Sequence, residues 1–131
     1  MTIHLEFPHG LPAFETHKRF RLIESRKREP LLFLESETNP KLSFLLLPVA
    51  MIDADYRLAL SAEDGEALGT CGASPLVCLA VITAAEDLPP TANLLAPVVV
   101  NLDSGKAVQA VRSDAVYSHK HPLVPGGALC S

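Results

Sequence analysis

The stretch Pro97-Val98-Val99-Val100-Asn101-Leu102 constrains this chain more than any other. Three consecutive β-branched side chains are stiff at the first side-chain torsion and suit a pleated surface, and Pro97 stands where a strand can begin without losing a ladder bond. The pattern predicts a strand over 98–102, a loop at Asp103-Ser104-Gly105 with Gly105 at positive φ, and a returning strand over 106–112. The product is a β-hairpin.

The rest of the chain follows the same grammar. Residues 3–7 predict a strand that Pro8-His9-Gly10-Leu11-Pro12 ends, because two prolines and a glycine deny regular pairing. Residues 19–25 alternate basic and apolar side chains, with Phe20 and Leu22 facing inward. The apolar runs 31–35 and 42–47 are too short for helices, are bounded by Pro30, Pro40 and Pro48, and read as paired strands. A helical turn is expected at 49–52, then a strand over 56–60 with Tyr56, Leu58 and Leu60 on one face. Ser61 is a good N-cap for a helix over 62–68, whose first turn holds acids and whose end is marked by Gly69. Residues 75–83 predict a long central strand containing Cys78, and 86–90 an exposed acidic loop.

About eight short strands, one or two helical turns and no βαβ alternation predict an all-β, mainly antiparallel fold, either a small barrel or a strongly bent sheet. A single domain over 1–123 and a flexible tail over 124–131 are expected. At 131 residues, with 48% hydrophobic and 20% charged side chains, the chain can bury roughly two-thirds of its unfolded surface. No apolar run approaches the roughly 18 residues that span a bilayer, and the start lacks a signal-peptide pattern, so a cytoplasmic protein with no membrane partner is expected. Three cysteines, an odd number with no C-x-x-C pair, predict reduced thiols.

Chemistry is sparse. His119 and His121 could join Cys71 or Cys78 around zinc, but the spacing matches no known finger, and solvated or packed histidines fit better. Nothing in the sequence brings a histidine base to Cys71 or Cys78, and no phosphate loop, dinucleotide fingerprint or nucleophile elbow is present. The reading is a non-enzyme with no cofactor and no metal. Lys18, Arg19, Arg21, Arg26, Lys27 and Arg28 invite an RNA reading, which the net charge of −4 and the scarcity of interleaved aromatics oppose. No direct nucleic-acid partner is expected. Residues 53–103 hold eight acids against Arg57 alone, a local balance of −7.

Hairpin physics does not demand the string Thr91-x-Asn93-Leu94-x-Ala96-Pro97 followed by Asn101. It resembles the signature of the FliW family of flagellar assembly factors. Two further stretches agree: Phe7-Pro8-His9-Gly10-Leu11-Pro12-Ala13-Phe14-Glu15 and Tyr117-Ser118-His119-Lys120-His121-Pro122-Leu123. With residues 30–36 and 42–48 the likeness spans roughly 5–123. The family usually has glycine at Ala13, arginine at Lys120, and a longer segment ahead of Phe7 that makes a first hairpin, so a missing or abbreviated first hairpin is expected. The resemblance implies a protein-binding regulator, monomeric when free, that binds the translational repressor CsrA and is sequestered in turn by flagellin. A flagellin chaperone that never binds CsrA, or a small ligand-binding barrel, are the alternatives.

Three expectations follow for the site. Residues 91–101 and 117–123 lie together on one β surface, with Asn93 bonding local backbone. Leu11, Pro12 and Phe14 form an apolar loop, packed on the core in preference to being offered to a partner. Asp53, Asp55, Glu63, Asp64, Glu66, Glu86 and Asp87, or a subset on one face, steer a basic partner; solubility and helix capping are the competing account.

Overall fold

A computed structural model describes residues 2–11, 14–24, 30–39, 41–69, 75–85, 87–114 and 116–123. Four strands come first: β1 (Thr2–Glu6), β2 (Arg19–Glu24), β3 (Leu32–Ser36) and β4 (Ser43–Pro48). A 3-10 turn (Val49–Met51) and helix α1 (Ala62–Leu68) lead to β5 (Leu76–Ala85), β6 (Leu88–Asn101), β7 (Lys106–Gln109) and the two-residue β8 (His121–Pro122). Neighbouring strands run β5-β4-β3-β2-β1-β7-β6, and β6 pairs back onto β5, so seven strands close a barrel while β8 rides on β6. Every pairing is antiparallel except the seam between β1 and β7, which is parallel and rests on one residue pair, Glu6 with Lys106.

Alternation along the strands makes two cores from one sheet. Leu5, Phe20, Leu22, Leu34, Leu46, Leu79, Val98 and Val100 face inward and fill the barrel with Phe7 and Leu11. On β4, β5 and β6 the neighbours face outward, where the crossover between β4 and β5 covers them: Leu47, Ala80, Ile82, Ala92 and Leu94 meet Val49, Ile52 and Tyr56. Val99, Val108 and Ala110 meet Leu68, Leu58 and Leu60. This double use explains why residues 98–100 are apolar without a break: both faces of that strand are buried.

Several local expectations hold. Ser61 Oγ accepts from Asp64 N at 3.0 Å and Gly69 closes α1 at φ +68°. Gly105 turns the β6–β7 hairpin at φ +72°. β3 and β4 pair as neighbours, and Phe20 and Leu22 are buried.

Others are corrected. The strand expected at 98–102 begins ten residues earlier, and Pro97 lies inside it. Leu79 pairs with Val98 but Val81 with Asn93, so residues 94–97 of β6 stand opposite Ala80 alone. The missing proline N–H therefore falls in a bulge where no ladder bond is available to lose. Of the loop expected at 86–90, residues 88–90 belong to β6, whose first residue Leu88 pairs with Ala85. Residues 56–60 form no strand: Leu58 and Leu60 do face the protein, but they pack on the outside of the barrel with no neighbouring ladder. β7 ends at Gln109, yet Ala110 N and Arg112 N still donate to Pro97 O and Leu95 O, each at 2.9 Å. Cys78 is a free thiol whose burial pushes its pKa up to about 11; Cys71 and Cys130 lie outside the described residues, as do Arg26, Lys27, Arg28 and the tail at 124–131.

Candidate functional site

The bulge in β6 is a corner at which one strand changes partners. Before it, Thr91 and Ala92 pair with Pro122 and His121 of β8; after it, Val98 to Asn101 pair with β7. Asn93 holds the corner, its Oδ1 accepting from Leu95 N at 3.1 Å and Ala96 N at 2.9 Å. The other backbone groups of the bulge are taken up in turn. Leu94 N donates to Ser118 O, Leu94 O accepts from Tyr56 Oη at 2.8 Å, and Ala96 O accepts from Gln109 Nε2 at 2.9 Å. Leu123 N, farther along, donates to Pro90 O at 3.0 Å. Residues 91–101 and 117–123 thus form one hydrogen-bonded surface. Asn101, 1% exposed, closes its far end: Nδ2 donates to Leu68 O at 2.9 Å and Oδ1 accepts from Asp103 N at 2.9 Å. One side chain ties the hairpin turn to the end of α1.

Sequence reasoning missed the group that clamps this corner from outside. Arg112 caps the pair formed by Tyr56 and Tyr117: the ring centroids are 4.5 Å apart, and its guanidinium carbon is 5.1 and 5.0 Å from them. It is held in a fork by Asp114, both bonds being 2.9 Å, and donates to Arg57 O. The carboxylate of Asp114 and then Tyr56 raise the pKa of Arg112, while Arg112 holds Asp114 below its ordinary value. Burial raises Tyr56. No local pattern could have signalled this, because Tyr56 lies far along the chain from Arg112 and Tyr117 and meets them only in the fold.

The loop between β1 and β2 carries the first motif. Phe7 is fully buried, edge-on to Phe20 at 5.2 Å, and Leu11 is 4% exposed. Gly10, at φ +66°, lets the loop cross itself: a Cβ there would lie 2.5 Å from Glu15 Cα. Phe14 is 37% exposed, with its ring edge-on to Phe44 and His17, so the expectation that it packs into the core is corrected. It sits over the end of the barrel because Phe7, Phe20 and Leu11 already fill the space beneath. Pro12 and Ala13 lie outside the described residues. Pro8 and His9 face α1 across a polar cleft of about 440 Å³ that Glu63, Glu66 and Lys106 also line.

The acids do not form one patch through mutual contact. Asp53 and Asp55 lie beyond the 3-10 turn, where Asp53 Oδ1 accepts from Asp55 N at 2.9 Å. Glu63, Asp64 and Glu66 belong to α1, with His9 Nε2 4.0 Å from Glu63. Asp87 is at the tip of the β5–β6 turn. Asp55, Glu63, Glu66 and Asp87 are exposed, Asp53 and Asp64 half-buried, and Glu86 lies outside the described residues. Among the described residues no three of His, Cys, Asp and Glu converge as metal ligands. His121 is half-buried in β8 and His119 exposed beside it. No helix among the described residues is long and apolar enough to cross a membrane.

Comparison with known proteins adds to this geometry. The family model described as FliW protein matches residues 2–123. The flagellar assembly factor FliW of Bacillus subtilis (strain 168) is 31% identical over 125 residues, covering 95% of this chain and 86% of that one. That of Carboxydothermus hydrogenoformans is 34% identical over 122 residues, 89% of this chain and 76% of its own. A crystal structure of the flagellar assembly factor FliW superposes with a TM-score of 0.84 at 28% identity, covering 95% of this chain and 87% of that one.

Proposed function

The chain belongs to the FliW family, the flagellar assembly factors, and from that premise we propose that it works without catalysis, as a cytoplasmic regulator by partner exchange. It binds a CsrA-type translational repressor, relieving the block on flagellin synthesis, and flagellin in turn captures it; both partners are those the family resemblance implies. A role in flagellum assembly comes with family membership itself. The observation that carries the finer reading is the corner where residues 91–101 and 117–123 join, because these motif residues are spent on building a rigid surface. A preorganised β surface loses little entropy on docking, which suits a protein that exchanges partners. Free of either partner, it is a monomer.

The experiment is a binding measurement with purified CsrA and flagellin from the same organism. Binding of both supports the exchange; binding of flagellin alone identifies a secretion chaperone instead, and binding of neither defeats the proposal.

The exposed acids give a kinetic expectation within the same assay. A repressor that binds RNA presents basic surface, and an opposite field speeds encounter more than it tightens the complex. Reversing Glu63, Glu66 and Asp87 to lysine slows association with CsrA severalfold at low salt. The effect shrinks near physiological ionic strength, where screening acts over about 8 Å, and dissociation stays nearly constant. An association rate indifferent to both reversal and salt leaves these acids with solubility and helix capping only.

A further inference from the structure

The side chain of Arg112 is 8% exposed, an uncommon placement for a guanidinium. Burial strips hydration from the charge, and a single carboxylate restores only part of what is lost. That carboxylate, on Asp114, is itself 43% exposed. Ion pairs taken out of water are often replaced by apolar side chains of similar volume with no loss of stability, yet they can select one arrangement of the groups around them.

The groups around Arg112 are those that hold the corner in β6. Leu94 is fixed at both of its backbone groups: its carbonyl accepts from Tyr56 Oη at 2.8 Å, and its amide donates at 3.0 Å to the carbonyl of Ser118, the residue after Tyr117. The guanidinium rests against both tyrosine rings. Its Nη1 donates to Arg57 O, beside Tyr56, and the backbone amide of Arg112 donates to Leu95 O at 2.9 Å. One residue therefore bears on the crossover that brings Tyr56, on the segment that brings Tyr117, and on the bulge itself. A planar guanidinium with its donors in a fixed fork sets direction as well as distance.

We propose that Arg112 is a positioning residue for partner docking, setting the shape of residues 91–97 and 117–123 and thereby the fraction of molecules ready to bind. This rests on the reading of that corner as the docking surface. So little of the side chain is exposed that it offers a partner almost no contact of its own, and its effect passes through the corner. Where only a fraction of molecules holds the competent shape, apparent affinity falls by that fraction. The loss lies in association, and the complex once formed dissociates at nearly the parental rate.

The test compares the full chain with Arg112→Met, which retains most of the volume without the charge, and with Tyr56→Phe, which keeps the ring and loses the bond to Leu94 O. Arg112→Met melts near the parental temperature. Its Leu94 amide exchanges about tenfold faster, while amides in β2 and β3 keep the parental rate. Association with purified CsrA and flagellin slows severalfold, and dissociation changes little. Tyr56→Phe reproduces both effects in part, and carries the comparison by itself should Arg112→Met not fold. The proposal is overturned by variants whose Leu94 exchange matches the parent's, by exchange that quickens equally in β2 and β3, which marks a loss of global stability, or by quickened Leu94 exchange with association unchanged. A parent that binds neither protein overturns the docking reading and this proposal with it, whereas a parent that binds, with variants that bind equally fast, overturns this proposal alone.

Discussion

Gly10→Ala lowers stability by about 3–5 kcal/mol and moves the urea midpoint far below that of the parent. Two costs combine at this position. A φ of +66° costs a residue with a Cβ about 1–2 kcal/mol, and the new Cβ meets backbone, 2.5 Å from both Glu15 Cα and Glu15 O. Backbone cannot rotate out of the way as a side-chain tip can, so the loop between β1 and β2 must open, and opening it draws Phe7 and Leu11 from the core. Gly69 supplies the control. It has nearly the same φ, +68°, but the nearest atom to its added Cβ is Ser104 Cβ at 3.8 Å. Gly69→Ala therefore carries the conformational cost alone, about 1–2 kcal/mol. Equal losses for the two variants in urea unfolding would refute the crossing of the loop at Gly10.

Asn101→Ala costs about 2–3 kcal/mol, large for a polar residue. Its side chain is buried, and its two ends serve opposite elements: the amide donates to Leu68 O and the carbonyl accepts from Asp103 N. Ser104 Oγ also reaches Leu68 O at 2.8 Å, so that carbonyl keeps one donor, while Asp103 N loses its acceptor. Because the residue joins α1 to the hairpin, hydrogen exchange at the C-terminal turn of the helix should quicken along with the fall in midpoint. A variant with unchanged midpoint and unchanged exchange would show that Asn101 carries no such tie.

Much of the fold was legible, for identifiable reasons. Strands with one dry face announce themselves by alternation, as at Phe20 and Leu22, and caps by residue type, as at Ser61 and Gly69. What stayed hidden depends on distant partners. Tyr56, Leu58 and Leu60 alternate as a strand would, because they line a surface; whether a ladder neighbour stands beside them is a property of the barrel. Pro97 looked like a strand start because nothing local to it reveals the bulge opposite Ala80. The candidate site divides likewise. Asn93 was readable as a backbone-bonding residue from its type and setting, whereas the packing of Tyr56 against Tyr117 and Arg112 joins segments the sequence keeps apart. The acids could be counted but not placed, since charge carries no information about which face a loop turns outward.

The parallel seam has a consequence for how the chain matures. Glu6 meets Lys106 roughly 100 residues later, through one residue pair and the bond from Glu6 N to Gly105 O. During synthesis β1 to β4 can form successive hairpins as they emerge, but their sheet must wait with an unclosed edge until β7 has been made. Long-range closure of this kind is slow, since loop entropy is lost before contacts repay it. An unclosed edge is also a template for another chain. The newborn protein is most exposed to misassociation in the interval between completing β4 and acquiring β7, and the last quarter of the sequence ends that interval.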